Sequence, residues 1–165
     1  MLFLPNMPSF FVMVVVGIVA LVSVYYDIRE RRVPNRLIAG GFIFMSVGMW
    51  WFDGWRALGM GFGAALMALF LWWPAWSLRM LGGGDHKLIA FVSAGCGFSL
   101  FIPLMLAIVF AGGAQALITV CVRWLRRTSR TLSFVHSVRT TSIPYAVAIA
   151  VGAAVALVGR AYGRW

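Results

Sequence analysis

Acidic side chains are nearly missing from this sequence. Among 165 residues there are four, Asp27, Glu30, Asp53 and Asp85, against 14 Lys and Arg, for a formal charge of +10. Cysteine and histidine are rarer still, at two each. Cys96 and Cys121 lie in apolar stretches and form no CxxC pair, which excludes that kind of zinc or redox motif and reads both as buried thiols. A metal site needs several His, Cys or carboxylate groups together, and the chain does not supply them. No cofactor and no metal are therefore expected. A Ser/His/Asp set is formally available, but His86 and His136 fall in predicted loops, with no nucleophile-elbow sequence beside them.

What remains is apolar. Hydrophobic residues make up 62% of the chain and charged ones 11%, where a soluble domain has about 45–50% and about 25%. Mean hydropathy is +0.93. A compact soluble fold of this length could not hide so much apolar surface, so lipid is the expected solvent for most of it. One membrane-embedded domain over residues 1–165 is predicted, with no room for a soluble appendage. The basic residues come in short clusters between apolar runs, the pattern of membrane topology and not of a nucleic-acid face. No Lys or Arg precedes Arg29, so the first apolar run lacks the basic start of a secretory signal and reads as a retained helix.

An all-α membrane protein of about six crossings follows, since a helix needs about 20 apolar residues to span the hydrocarbon core, and about 17 at the short end. The predicted spans are 7–26, 37–52, 57–78, 86–99, 103–124 and 142–159. The apolar run 88–122 is too long for one helix, and Gly95, Gly97 and Pro103 offer the place to turn. Eleven of the 14 basic residues fall in the loops after the first, third and fifth spans, leaving Arg56, Arg160 and Arg164 on the other side. Basic loops stay in the cytoplasm, which puts both termini outside an inner (cytoplasmic) membrane. Trp50, Trp51 and Trp55 then mark the outer interface, and Tyr25, Tyr26, Trp72, Trp73, Trp76 and Trp124 the inner one. Gly59 with Gly63, and Ala148 with Gly152 and Ala156, have the four-residue spacing of closely packed membrane helices.

The four acids divide into two kinds. Asp53 is expected in a solvated outer loop, and Glu30 as an ion-pair partner of the arginines around it. Asp27 and Asp85 each stand where an apolar helix meets a cytoplasmic loop, at the same membrane face and at similar depth. Carboxylates at a membrane edge are costly and mark functional candidates. Asp85 follows Gly82, Gly83 and Gly84, which keep side chains away from its approach; an N-cap would explain the Asp but not three glycines. Two carboxyls at one depth suit peptide hydrolysis, because like charges a few ångströms apart share a proton and so provide one base and one acid. The helix ends, Asp27 at a C-terminus and Asp85 at an N-terminus, would leave that proton on Asp27.

These same residues carry a resemblance. Asp27 with the Arg-rich stretch and Val33-Pro34-Asn35, then Gly82-Gly83-Gly84-Asp85-His86-Lys87-Leu88, and finally Ile143-Pro144-Tyr145-Ala146, resemble the type IV prepilin peptidase family of GxGD membrane aspartyl proteases. The resemblance runs the whole chain, with the motifs in order. It implies a membrane endopeptidase that removes the leader of a prepilin substrate at the cytoplasmic face. Asp27 and Asp85 match the two catalytic aspartates, and Gly82, Gly83, Gly84 and Lys87 match the active-site loop. Larger members also N-methylate the new terminus through an insertion with paired CxxC motifs. That insertion is missing here, so the chain looks like the short, peptidase-only kind found with tight-adherence (Flp-type) pili. The competing readings are a small proton-coupled transporter, which would favour charges at mid-membrane depth, and a non-catalytic membrane assembly factor.

Overall fold

Where the computed structural model describes them, at residues 10–30, 32–78, 81–128 and 145–161, the apolar runs expected to cross the bilayer are largely helical. Arg31, Arg79, Arg130, Arg139 and His136, the ends 7–9 and 142–144 of two predicted spans, and Arg164 lie outside the described residues. Among the described residues six α-helices follow in order: α1 (Phe10–Glu30), α2 (Asn35–Gly48), α3 (Gly54–Ser77), α4 (Gly83–Cys96), α5 (Phe101–Thr128) and α6 (Tyr145–Ala161). The turn predicted inside the run 88–122 is present. Gly97, at φ +65, reverses the chain, a short 3₁₀ turn spans Phe98–Leu100, and Pro103 falls in the first turn of α5, where a missing N–H costs nothing.

One connection differs from expectation. Asp53 is not in an open loop: α2 widens into a π-helical turn, Met49–Asp53, and α3 begins directly at Gly54, whose φ of +80 takes up the reversal. The two helices fold back as a hairpin, with the rings of Phe42 and Phe62 stacked at 6.1 Å between centres. Trp50, Trp51 and Trp55 project from this tip, each more than half exposed.

α4 is the centre of the bundle. It packs against α1, α2, α3, α5 and α6, and every residue from 88 to 96 is buried. A helix enclosed on all sides is apolar all round, which is why this one shows no lipid-facing stripe. Between helices in lipid there is little hydrophobic drive, so close packing relies on small residues. A Cβ on Gly61 would meet the Ala94 carbonyl at 2.8 Å, and one on Gly41 the Phe91 ring at 3.2 Å; one on Gly95 would collide with Val16. Of the predicted pair on α3, Gly63 is closely packed, since a Cβ there would meet the Phe98 ring at 3.0 Å, whereas one on Gly59 would meet nothing; Gly61, Ala64, Ala65 and Ala68 are the buried set. On α6 the expected face holds, with Ala148, Gly152 and Ala156 all buried.

The outside of the bundle is as apolar as the inside. Phe70 and Phe110 are 77% and 73% exposed, an arrangement that water would penalise and lipid would not. The stretches Phe10–Glu30, Asn35–Ser77 and Phe98–Val122 are long and apolar enough to cross a membrane, the second of them folded into the α2–α3 hairpin; α4 and Tyr145–Gly159 of α6 are shorter. This is an all-α, membrane-embedded protein. Cys96 is buried as expected, whereas Cys121 is exposed on α5.

Candidate functional site

At the end of the bundle away from the tryptophan tip, α1 outlasts its predicted span by four residues and carries Asp27 in its final turns. Pro34 then separates α1 from α2. It holds Val33 away from helical backbone and caps α2 itself, its carbonyl accepting the N–H groups of Leu37 and Ile38. Asn35, the first residue of α2, faces the start of α4, where Lys87 Nζ donates to its Oδ1 at 3.0 Å. The Val33-Pro34-Asn35 and glycine–Asp motifs, 52 residues apart between Asn35 and Lys87, therefore form one wall.

Asp85 is not the helix cap. Gly82 occupies that position, without a side-chain cap bond, and Asp85 is the third residue of α4. The carboxyl folds back over Gly82, where an added Cβ would stand 3.0 Å from Asp85 Oδ2. Gly84 lies against the preceding wall: its Cβ would meet Val33 Cβ at 3.2 Å and the Val33 carbonyl at 3.4 Å. At Gly83 the nearest atom is Trp76 Nε1 at 3.6 Å, an ordinary contact. Two of the three glycines thus have a steric reason inside the molecule, and the middle one does not.

His86 belongs to α4 and not to a loop, and its ring turns away from the carboxyls into α3. It is buried, stacks on Trp76 with ring centres 5.8 Å apart, and pairs through Nε2 with the Leu69 carbonyl at 3.0 Å. A carbonyl only accepts, so Nε2 carries the hydrogen. Pro74 lies inside α3 and leaves the carbonyl four residues back without a helical donor; Leu69 stands next to that opening. His86 therefore pins the start of α4 to α3 and has no catalytic geometry of its own.

Asp27 is 9% exposed, and its Oδ2 accepts the main-chain N–H of Ala146, in α6, at 3.1 Å. Nothing in the local sequence of either residue announces this contact. One turn deeper on the same face of α1, Ser23 is fully buried and its Oγ has no hydrogen-bond partner. Other helical hydroxyls do bond back to their own helix, as Ser93 does to the Ile89 carbonyl at 2.7 Å. Arg29, just past Asp27, donates to the Tyr25 hydroxyl, with its guanidinium 5.8 Å from the centre of that ring.

Asp27 and Asp85 come together in one cleft of about 410 Å³, lined also by Arg32, Val33, Asn35, Gly82, Gly83, Gly84 and Lys87. All six residues singled out from sequence line it; Arg32, Val33 and Asn35 join them. Asp85 precedes the apolar stretch that α4 carries from Leu88 onward and stands outside its membrane-crossing part. Burial pushes its carboxyl up to about 7, and the neighbouring charge of Asp27 adds to the rise. Such a group is neutral or charged according to small changes near neutral pH, the state a proton-sharing pair requires. Among the described residues, no three His, Cys, Asp or Glu side chains converge as a metal site would need.

A helical membrane bundle with two carboxyls meeting in a cleft at one end defines the class of molecule. Residues 14–120 match the type IV leader peptidase family, and the chain belongs to that family. The match includes both aspartates and the glycine loop, and ends before α6. No curated protein sequence and no solved structure matches the chain.

Proposed function

We propose that this protein is an aspartyl endopeptidase that cleaves the leader from type IV prepilins, using Asp27 and Asp85 as its catalytic pair. The observation that carries the reading is the convergence of two otherwise isolated carboxyls, from α1 and α4, on one glycine-lined cleft. An ionised carboxylate takes a proton from water, and the resulting hydroxide attacks the scissile carbonyl. The protonated partner donates to the carbonyl oxygen, so the tetrahedral intermediate forms without a buried oxyanion. Collapse of the intermediate breaks the C–N bond. The carboxyl that took the proton from water returns it to the departing amine, and the other recovers its proton from the intermediate's hydroxyl.

The same reading has six crossings in the inner membrane, both termini outside and the cleft at the cytoplasmic face, supported by the eleven-to-three division of basic residues. The chain has no CxxC pair, which supports a peptidase without N-methyltransferase activity, of the kind that serves tight-adherence (Flp-type) pili. The test is cleavage of a Flp-type prepilin by the protein in proteoliposomes. Wild type is expected to release the leader and to transfer no methyl group from S-adenosylmethionine, while Asp27→Asn and Asp85→Asn insert normally and release it only at a residual rate, lower by at least about 1000-fold. Wild-type cleavage by either variant would refute the pair.

A further inference from the structure

The sixth helix lies beyond the segment matched to the family, yet its main chain reaches the cleft. The Ala146 N–H donates to Asp27 Oδ2 across 119 residues of sequence. Ala146 stands two residues after Pro144, a residue type favoured in the first turn of a helix. First-turn N–H groups have no carbonyl of their own helix to bind, so this donor serves a side chain on another helix at no loss to α6.

The position of that donor is built in. A Cβ at Gly112 of α5 would stand 2.6 Å from the Tyr145 hydroxyl, and one at Gly152 of α6 would stand 2.7 Å from Ile108 Cγ1. These two glycines let α5 and α6 close against each other. Ala146 is fully buried, and α6 packs on α1 as well. Its start is held on two sides, with its N–H aimed at Asp27.

We propose that the Ala146 amide makes Asp27 the resident anion of the pair and hence its general base, with Asp85 carrying the shared proton. The inference rests on the catalytic reading above and reverses the division expected from the ends of α1 and α4. A helix end shifts a nearby carboxyl by less than about one pH unit, whereas one hydrogen bond to the charged form is worth about one to two. The start of α6 also brings its own positive end to Asp27. Among the described residues, the charged and titratable groups around Asp27 are Tyr26, Arg29 and Glu30 beside it on α1, Asp85 on α4, Arg32 and Lys87 in the cleft wall, and Tyr145 on α6. Arg32 and Lys87 border both carboxyls, α2 contributes the uncharged Asn35, and the Tyr145 hydroxyl points to Gly112 on α5. The amide is what sets Asp27 apart. At Asp85 burial is the main cause of the rise to about 7, and the charge on Asp27 adds to it.

Infrared titration of the full-length protein in nanodiscs tests this without requiring cleavage. The Asp85→Asn protein reports the carboxyl at position 27, and the Asp27→Asn protein the one at position 85. Glu30 and Asp53 are common to both and cancel in the difference. The group at position 27 is expected to titrate below the group at position 85. Ala146→Pro, which removes the N–H at a position where helices accept proline, should raise position 27 by about one pH unit and leave position 85 in place. If Ala146→Pro does not fold, an ester in place of the amide at 146 removes the same hydrogen with less disturbance. Position 85 titrating first, or position 27 unmoved by loss of the N–H, would overturn the inference. Retained cleavage by Asp27→Asn would instead refute the catalytic reading, so the two failures are separable.

Discussion

The two carboxyls of the cleft rest on opposite kinds of support. Asp27 lies within a 21-residue helix, its backbone fixed on both sides, and is steadied by a main-chain donor from a distant helix. Asp85 stands three residues into α4, behind glycines that have no side chains to fix it. What holds Asp85 is close approach: Gly82 leaves room for its carboxyl, Gly84 lets α4 press against Val33, and His86 ties the next residue to α3. One half of the site is held by secondary structure, and the other by close contacts at Gly82 and Gly84 that leave little room for a side chain.

That difference is breakable, most sharply at the glycines. Gly84→Val would drive a branched side chain into the Val33 backbone, which cannot move aside. Cleavage should fall on the order of 100-fold, the cost of misplacing a reacting group by about 1 Å. Gly82→Ala, with its methyl against Asp85 Oδ2, should lose a comparable factor. Gly83→Ala should cleave within about twofold of wild type, since its new methyl meets an ordinary contact. Initial rates of prepilin cleavage in proteoliposomes measure all three. Equal losses at the three glycines would mean that the loop works by flexibility and not by fit.

Acidity is the next lever, and its effect is smaller. Asp85 sits well above its ordinary value of 3.8, so the fold favours its neutral form. The stability it contributes is complete below the ordinary carboxylate range and is lost as pH rises through about 7. The proposed acid itself stays protonated until pH passes about 7, so cleavage should decline by about tenfold per pH unit only above that. A pH–rate profile flat from 6 to about 9 would contradict the account.

Much of this was legible in the sequence because it depends on scarcity and order. With four acids in the chain, two at helix–loop junctions stand out, and the glycines before Asp85 mark the approach. Most helices were legible as long apolar runs, and α4 was legible from the break that Gly95, Gly97 and Pro103 make in the run 88–122. What escaped depends on distance in space. The Ala146 amide carries no side-chain signal, and its partner lies 119 residues away. Gly61 and Gly59 look alike on paper, and the Ala94 carbonyl decides between them. The continuation of α2 through Asp53 was hidden because an Asp-Gly pair ordinarily marks an open turn.

Ser23 gives the smallest expected effect. Its unpartnered hydroxyl lies below Asp27 on the rigid half of the site. Removing a buried polar atom that makes no bond relieves its desolvation, which is worth about 1–3 kcal/mol at most. Ser23→Ala should therefore melt no lower than wild type and cleave at a similar rate. A lower melting temperature would show that the hydroxyl is held after all.

The central claim, that two unlike supports carry one catalytic unit, is tested most directly by single-turnover cleavage in a double-mutant cycle of Asp27→Asn and Asp85→Asn. Groups that act as a pair lose their function together, so a second loss adds little to the first. The double variant is expected to be no slower than either single one. If the two losses multiply, the aspartates act independently and the shared-proton account is wrong.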